Sequence, residues 1–221
     1  MIKPLLHFIK RFVQMVLVPP HCSFCKIMME QDFPLCDECL SNIRRLVPTD
    51  IQLTPTKKMT VFALGAYEDA LAALVRAKQH RNIGAAHQLG VLLAEHIRVW
   101  NLPIDYLVAV PLHWRRYAWR GFNQAEVIAT EIAQLRKTEL VPIVRRTKHT
   151  AYQMTQSAKE RVTNVKDVFS LSVQESAQYR GKHILVVDDL MTTGATLEAV
   201  GRALLPLKPA SITALVACRV V

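Results

Sequence analysis

From Met59 onward the spacing of apolar positions changes several times, and each change marks an element. The run MTVFALGAY, beginning at Met59, has the character of a strand. Leu71, Leu74 and Val75 then recur at helical spacing. Ala85, Leu89, Leu92, Leu93, His96 and Ile97 give a second, longer helix. Tyr106–Val110 is a short apolar run ended by Pro111, which suits a buried strand, and Phe122–Leu135 is helical again. Ile184–Val187 predicts another buried strand, followed by a turn and a helix from about Thr196 to Leu205, and Ile212–Ala217 closes the pattern as a strand. Strands alternating with helices predict an α/β domain with a mostly parallel sheet covered on both faces.

Upstream of this domain, assigned to residues 59–221, the pattern is different. Residues 19–45 are a compact cysteine-rich module. Residues 46–58 hold two prolines and no periodic apolar positions, and read as a linker. Residues 1–18 place Lys3, Lys10 and Arg11 before a short apolar run, Val13–Val18. This reads as an amphipathic segment docked on the protein, with weak association to an anionic membrane surface as a second reading. No stretch reaches the roughly 18 uninterrupted apolar residues of a membrane helix. No small-x-small cleavage site follows the N-terminal run, which argues against a secretory signal.

Four of the five cysteines form two Cys-x-x-Cys pairs, Cys22 with Cys25 and Cys36 with Cys39. Each such turn offers two thiolates to one ion, and two turns complete a tetrahedral, closed and therefore structural Zn²⁺ site. A module this small lacks the core to fold alone, so metal binding would supply the missing free energy. A redox pair and an iron–sulfur cluster are the competing readings, although redox chemistry ordinarily uses a single Cys-x-x-Cys at a helix start. Cys218 falls in a buried strand and reads as a small core hydrophobe. This cysteine usage fits a reducing compartment.

The formal net charge is +10. Residues 111–166 alone carry eleven basic and four acidic side chains. So local an excess implies a polyanionic partner, pyrophosphate or nucleic acid, with a solvated surface as the plainer alternative.

The most specific chemistry lies at Ile184–Thr196, where four apolar residues precede Asp188 and Asp189, then Leu190 and Met191, then Thr-Thr-Gly-Ala-Thr. Gly194 permits close backbone approach, and the amides of the turn and the helix N-terminus would converge on a phosphate. Thr192, Thr193 and Thr196 add hydroxyls. Asp188 and Asp189 suit a ribose diol, or Mg²⁺ directly or through water. Separately, an Asp pair can cap a helix and a Thr-Thr-Gly turn can be a plain loop. The full run resembles the signature of the type I phosphoribosyltransferases. That resemblance implies that Asp188 and Asp189 hold the ribose, and that Thr192, Thr193, Gly194, Ala195 and Thr196 hold the 5′-phosphate, of phosphoribosyl pyrophosphate.

Further segments narrow the resemblance. Val108-Ala-Val-Pro-Leu-His113 leads through Arg115 and Arg116 into Arg120-Gly-Phe-Asn-Gln124, then Arg145-Arg-Thr-Lys-His-Thr-Ala-Tyr-Gln153, Arg161-Val-Thr-Asn-Val165 and Phe169. With the four-cysteine module, this order resembles the ComF family of competence proteins over about residues 17–217. The resemblance implies a type I phosphoribosyltransferase-like parallel sheet flanked by helices, with a small zinc-ribbon-like module. It also implies a cytoplasmic protein that handles incoming single-stranded DNA during natural transformation. By position, Pro111–Phe122 becomes a pyrophosphate-binding loop with Arg115, Arg116, Arg120 and Gly121 as ligands. Residues 145–166 become a mobile loop from which Arg145, Gln153 and Arg161 would reach the ligand. Lys78 matches a family lysine, although the family usually follows it with an aromatic residue and here Gln79 follows.

The aromatics among the arginines at 114–122 also suit single-stranded nucleic acid, with bases stacked and the backbone tracked by Arg. The alternative is that Trp114, Tyr117, Trp119 and Phe122 pack the loop while the arginines face water. Three functional classes follow. The first is a competence protein that binds single-stranded DNA and phosphoribosyl pyrophosphate, at the inner face of the membrane or in the cytoplasm. The second is an active phosphoribosyltransferase acting on an unknown acceptor. The third is a scaffold whose zinc module recruits other DNA-uptake proteins.

Overall fold

The computed structural model describes residues 19–77, 82–96, 102–147, 168–172 and 177–221. In chain order the elements are α1 (Asp37–Ser41), β1 (Thr49–Thr54), β2 (Lys57–Ala66), α2 (Asp69–Ala77), α3 (Ile83–His96), β3 (Tyr106–Ala109), α4 (Trp114–Arg120) and α5 (Gln124–Arg136). They continue as β4 (Glu139–Leu140), β5 (Val144–Arg146), β6 (Phe169–Leu171), β7 (His183–Met191), α6 (Ala195–Leu204) and β8 (Ser211–Arg219), with short 3-10 turns at Ala177–Tyr179 and Leu205–Leu207.

Six strands form one sheet in the order β1-β2-β8-β7-β3-β4, and β5 and β6 pair separately. From β2 to β4 every neighbour is parallel. Only β1 runs antiparallel, against β2. The central strands β7 and β8 show why the apolar runs were continuous. Leu185, Val187, Leu215 and Ala217 enter one core, while Ile184, Val186, Ala214 and Val216 enter the other. Successive strand side chains point to opposite faces, so a strand covered on both sides must be apolar at every position. The first core adds Leu71, Leu89, Leu93 and Ile128 from α2, α3 and α5, and the second adds Leu197, Val200 and Leu204 from α6.

The expected linker at 46–58 is replaced by β1 and the start of β2. Two prolines frame β1 rather than break it: Pro48 precedes it, and Pro55 sits in the turn to β2. Within β1, Leu53 is buried while Asp50 and Gln52 face water. Asp50 bridges to Lys58 Nζ (2.6 Å) and accepts from Thr60 Oγ1 (2.7 Å) across the pair. The alternation was present but spans only Ile51 and Leu53, too short to register beside two prolines.

Two more boundaries move. The strand expected to end at Val187 continues through both aspartates to Met191, because β8 remains paired alongside it as far as Arg219. Pro111–Phe122, expected as a loop, contains the two-turn helix α4. The cysteine module also does not stand apart. Cys22, Leu35 and Ile43 lie in the same core as Leu64 and Leu71.

Candidate functional site

The turn after β7 is built by a glycine that cannot be replaced without strain. Gly194 is the N-cap of α6 with φ +82°, a left-handed conformation that L side chains rarely adopt. A Cβ there would stand 3.0 Å from Ile51 Cδ1 and 3.0 Å from Met191 Cε. The edge strand that the sequence hid therefore packs directly beneath the turn. The N-cap glycine brings no capping side chain to α6, which leaves its first turn open to an anion, favoured by the helix dipole. Thr192, Thr193 and Thr196 are exposed around them, Gly194 is buried and Ala195 half-buried. Thr193 Oγ1 accepts weakly from Ala195 N at 3.4 Å.

Asp188 and Asp189 are both half-buried in β7. As strand neighbours they leave the backbone in opposite directions. Asp188 Oδ1 accepts from the Asp189 amide at 2.8 Å. By strand parity Asp188 follows Ile184 and Val186 to the face whose core also holds Val144 and Phe169 of the β5–β6 pair.

Arg146 is the residue that sequence reasoning passed over. The motif that contains it points instead to Arg145 and Gln153. In β5 the two arginines alternate: Arg145 is exposed and its Nε donates to Ser170 Oγ (3.2 Å). Arg146 turns inward, and its guanidinium lies over the Phe169 ring at 5.4 Å. Burial, then the neighbouring Arg116, lower its pKa, and Asp188 opposes the change. The available signal was strand parity, which is unreadable until the partner strand is known.

Arg115, Arg116 and Arg120 lie on α4. His113 caps this helix through Nδ1, which accepts from Arg115 N at 3.2 Å. Gly121 ends it with φ +85° and donates its amide to Tyr117 O at 2.7 Å. Nothing crowds a Cβ at Gly121, so this glycine serves the left-handed cap. Asn123 Nδ2 donates to Val110 O at 3.1 Å, tying the end of the segment to β3. Arg116 and Arg120 share a helix face at i,i+4 spacing. Burial, then repulsion from Arg116, lowers the Arg120 pKa. Arg120 Nε and the amide nitrogen of Gln124 are buried without a hydrogen-bond partner among the described residues. Arg116 thus acts by charge on both Arg120 and Arg146, and Asp188 acts on Arg146.

Of the four aromatics that the alternative reading packs inward, Phe122 is half-buried and the other three are exposed, as are Arg115 and Arg116. Trp114 is 67% exposed, Tyr117 50% and Trp119 60%. Lys78, Gln153 and Arg161 lie outside the described residues, as does the N-terminal segment 1–18.

The four module cysteines converge. Their sulfurs all lie within 4.8 Å of one another, with Cys25 and Cys36 at 3.6 Å. Thiolates about 2.3 Å from a tetrahedral Zn²⁺ stand ~3.8 Å apart, so the set fits the ion. The thiols also titrate against each other. Burial raises Cys22, but the amides of Cys36, Cys25 and Phe24 outweigh it and bring it down to about 6. Burial, then the neighbouring thiols, pushes Cys39 up. Four sulfurs this close cannot all ionise without a cation to share. Cys218 is fully buried in β8, as expected. Among the described residues, no helix is long and apolar enough to cross a membrane.

Taken together, the parallel sheet, the turn at Thr192–Thr196 and the four-cysteine cluster define a phosphoribosyltransferase-type domain with a module whose cysteines could hold a metal. Residues 119–220 match the family model described as the phosphoribosyl transferase domain. The chain is 30% identical to Competence protein F of Haemophilus influenzae over 195 residues, covering 83% of each protein, and it belongs to that family. It is also 29% identical to DNA utilization protein YhgH of Escherichia coli K12, covering 90% of this chain and 89% of that one. An adenine phosphoribosyltransferase structure aligns with 82% of this chain and 97% of its own, at 16% identity and a TM-score of 0.39, a likeness that carries no argument about function.

Proposed function

We propose that this chain is a cytoplasmic competence protein of DNA uptake that binds phosphoribosyl pyrophosphate with Mg²⁺ and handles single-stranded DNA. One observation carries the ligand assignment. Arg116 and Arg120 share one face of α4, and Arg120 Nε is buried with no acceptor among the described residues. A buried donor without an acceptor suits an anion, and Arg presents planar donors suited to pyrophosphate. The exposed threonines and uncapped first turn of α6 suit the 5′-phosphate. Asp188 and Asp189 suit the ribose hydroxyls and, directly or through water, Mg²⁺, which would neutralise the pyrophosphate. The DNA role rests on the names of the relatives and on the basic excess at 111–166.

The test is calorimetric titration of the zinc-loaded chain with phosphoribosyl pyrophosphate and Mg²⁺. Binding that weakens at least tenfold in Arg116→Ala and Arg120→Ala is expected. Absence of binding, or full binding in both variants, would overturn the ligand assignment. An active phosphoribosyltransferase is the second reading, favoured by the family match at 119–220. The chain's residues would then position the ligand and exclude water while pyrophosphate leaves C1. Pyrophosphate release with a panel of bases and amines distinguishes the two.

A further inference from the structure

Helix α4 carries more exposed aromatic surface than a folded chain ordinarily leaves to water. Of its seven residues, Trp114, Tyr117 and Trp119 are all at least half exposed, and none of the seven is buried. Each such ring presents an apolar body of about 150–250 Å². They are not scattered singly but gathered on one short helix between arginines. Helical spacing places Trp114 with Ala118 and Arg115 with Trp119, away from the Arg116–Arg120 face. Arg115 lies over the Trp114 ring at 5.4 Å, and His113 adjoins that ring at 5.7 Å.

Flat rings interleaved with guanidiniums match one partner chemistry closely. A single-stranded nucleic acid offers unpaired bases to the rings and a phosphate at each step to the arginines. An apolar protein segment would gain the rings but offers the arginines no phosphates. A duplex offers no free base faces to stack on.

We infer that the outer face of α4, Trp114, Arg115 and Trp119 with Tyr117 at its flank, is a stacking platform for single-stranded nucleic acid. We further infer that the nucleic acid and the phosphoribosyl ligand draw on the same arginines and therefore compete. The second part rests on the ligand reading above. Arg116 and Arg120 stand on the adjoining face of the same helix. A pyrophosphate seated there neutralises the charge that would otherwise attract the phosphate backbone. Linkage is reciprocal, so nucleic acid must weaken the ligand by the same factor that the ligand weakens nucleic acid.

The test uses the full zinc-loaded chain and a fluorescein-labelled oligodeoxythymidylate followed by anisotropy. Trp114→Ala and Trp119→Ala should each weaken oligonucleotide binding about fivefold to a hundredfold, the range for loss of one stacked base. Both should keep thermal unfolding and calorimetric binding of phosphoribosyl pyrophosphate unchanged. Saturating phosphoribosyl pyrophosphate with Mg²⁺ should weaken oligonucleotide binding and flatten its salt dependence, by a slope of about 0.7 for each phosphate contact withdrawn. Unchanged oligonucleotide affinity in both tryptophan variants overturns the platform. So does a self-association or protein contact that Trp114→Ala abolishes while oligonucleotide binding persists. Ligand binding in calorimetry with no effect on the oligonucleotide overturns the competition alone. Failure of ligand binding itself overturns the proposed function and with it the competition, while the tryptophan variants still decide the platform.

Discussion

Replacing Gly194 by alanine isolates what holds the turn after β7 in place. Two terms add. The left-handed backbone at φ +82° disfavours any L side chain, by about 1–2 kcal/mol. The new methyl also meets Ile51 Cδ1 and Met191 Cε at 3.0 Å each. Carbon atoms prefer ~3.5–4.0 Å, so both must withdraw. Because both are the ends of flexible side chains, the lower part of the overpacking range applies, about 1 kcal/mol. Gly194→Ala should therefore destabilise by about 2–3 kcal/mol in all. Ile51→Val removes the clashing Cδ1 and alone costs about 0.5–1.5 kcal/mol. In the double variant the steric term falls, so the two costs should sum to less than the singles by about 0.5 kcal/mol or more. Urea unfolding of zinc-saturated protein measures this as a shift in midpoint at constant slope. A cost below about 1 kcal/mol for Gly194→Ala would refute the backbone argument. Strict additivity with Ile51→Val would refute the claim that β1 braces the turn.

Arg146→Ala should weaken phosphoribosyl pyrophosphate binding by about tenfold to a hundredfold, from loss of charge-assisted hydrogen bonds, whereas Arg145→Ala should leave it within about twofold; equal effects in calorimetry would contradict the parity of β5. Cys22→Ser, or chelation, should release one zinc per chain in a colorimetric metal assay and lower the thermal midpoint, because the module's Leu35 and Ile43 share the main core; a wild-type melting curve without metal would count against the centre. Asp105 accepts from the His183 amide at 2.8 Å and pairs with Lys182, and this holds its carboxyl below the usual aspartate range. A depressed folded pKa contributes stability that is present above the ordinary aspartate range and lost as pH falls through the lowered value. Asp105→Ala should thus be less stable than wild type at neutral pH, and the gap should close on acidification, read as urea midpoints across a pH series; a gap independent of pH would reject the pairing.

What the sequence disclosed depended on whether a segment's task is local. Two Cys-x-x-Cys turns state their chemistry in their own spacing, and the buried strands β7 and β8 state theirs in unbroken apolar runs. The acidic pair and the Thr-Thr-Gly turn are equally self-contained. Helix α4 was missed because amphipathic periodicity records a buried face, and this helix buries none of its residues. Its ends were nonetheless written in the chain, as a histidine cap at His113 and a glycine at Gly121, eight positions apart. Arg146 was missed for a different reason. Which of two adjacent strand residues faces a site depends on pairing with β6, more than twenty residues later, and nothing local decides it.

The segments outside the matched phosphoribosyl transferase region therefore contribute more than attachment. Ile51 of β1 lies against the position of Gly194 and so supports the turn from below. The tail of the cysteine module reaches the same end of the sheet: Arg44 O accepts from the Ala66 amide at 2.9 Å, and the Arg44 guanidinium pairs with Glu68 at 2.6 Å. Ala66 is level with Arg219 of β8, and Arg219 is level with Met191, the last residue of β7 before the turn. Both contacts thus converge on the carboxyl end of the parallel strands, where ligands of open α/β sheets bind. Arg44 follows Cys39 by five residues, so a metal held by the four cysteines would fix the near end of the strut that holds Ala66. A metal that takes no part in chemistry can still set the rigidity of the ligand site, by holding one side of the sheet edge on which that site is built.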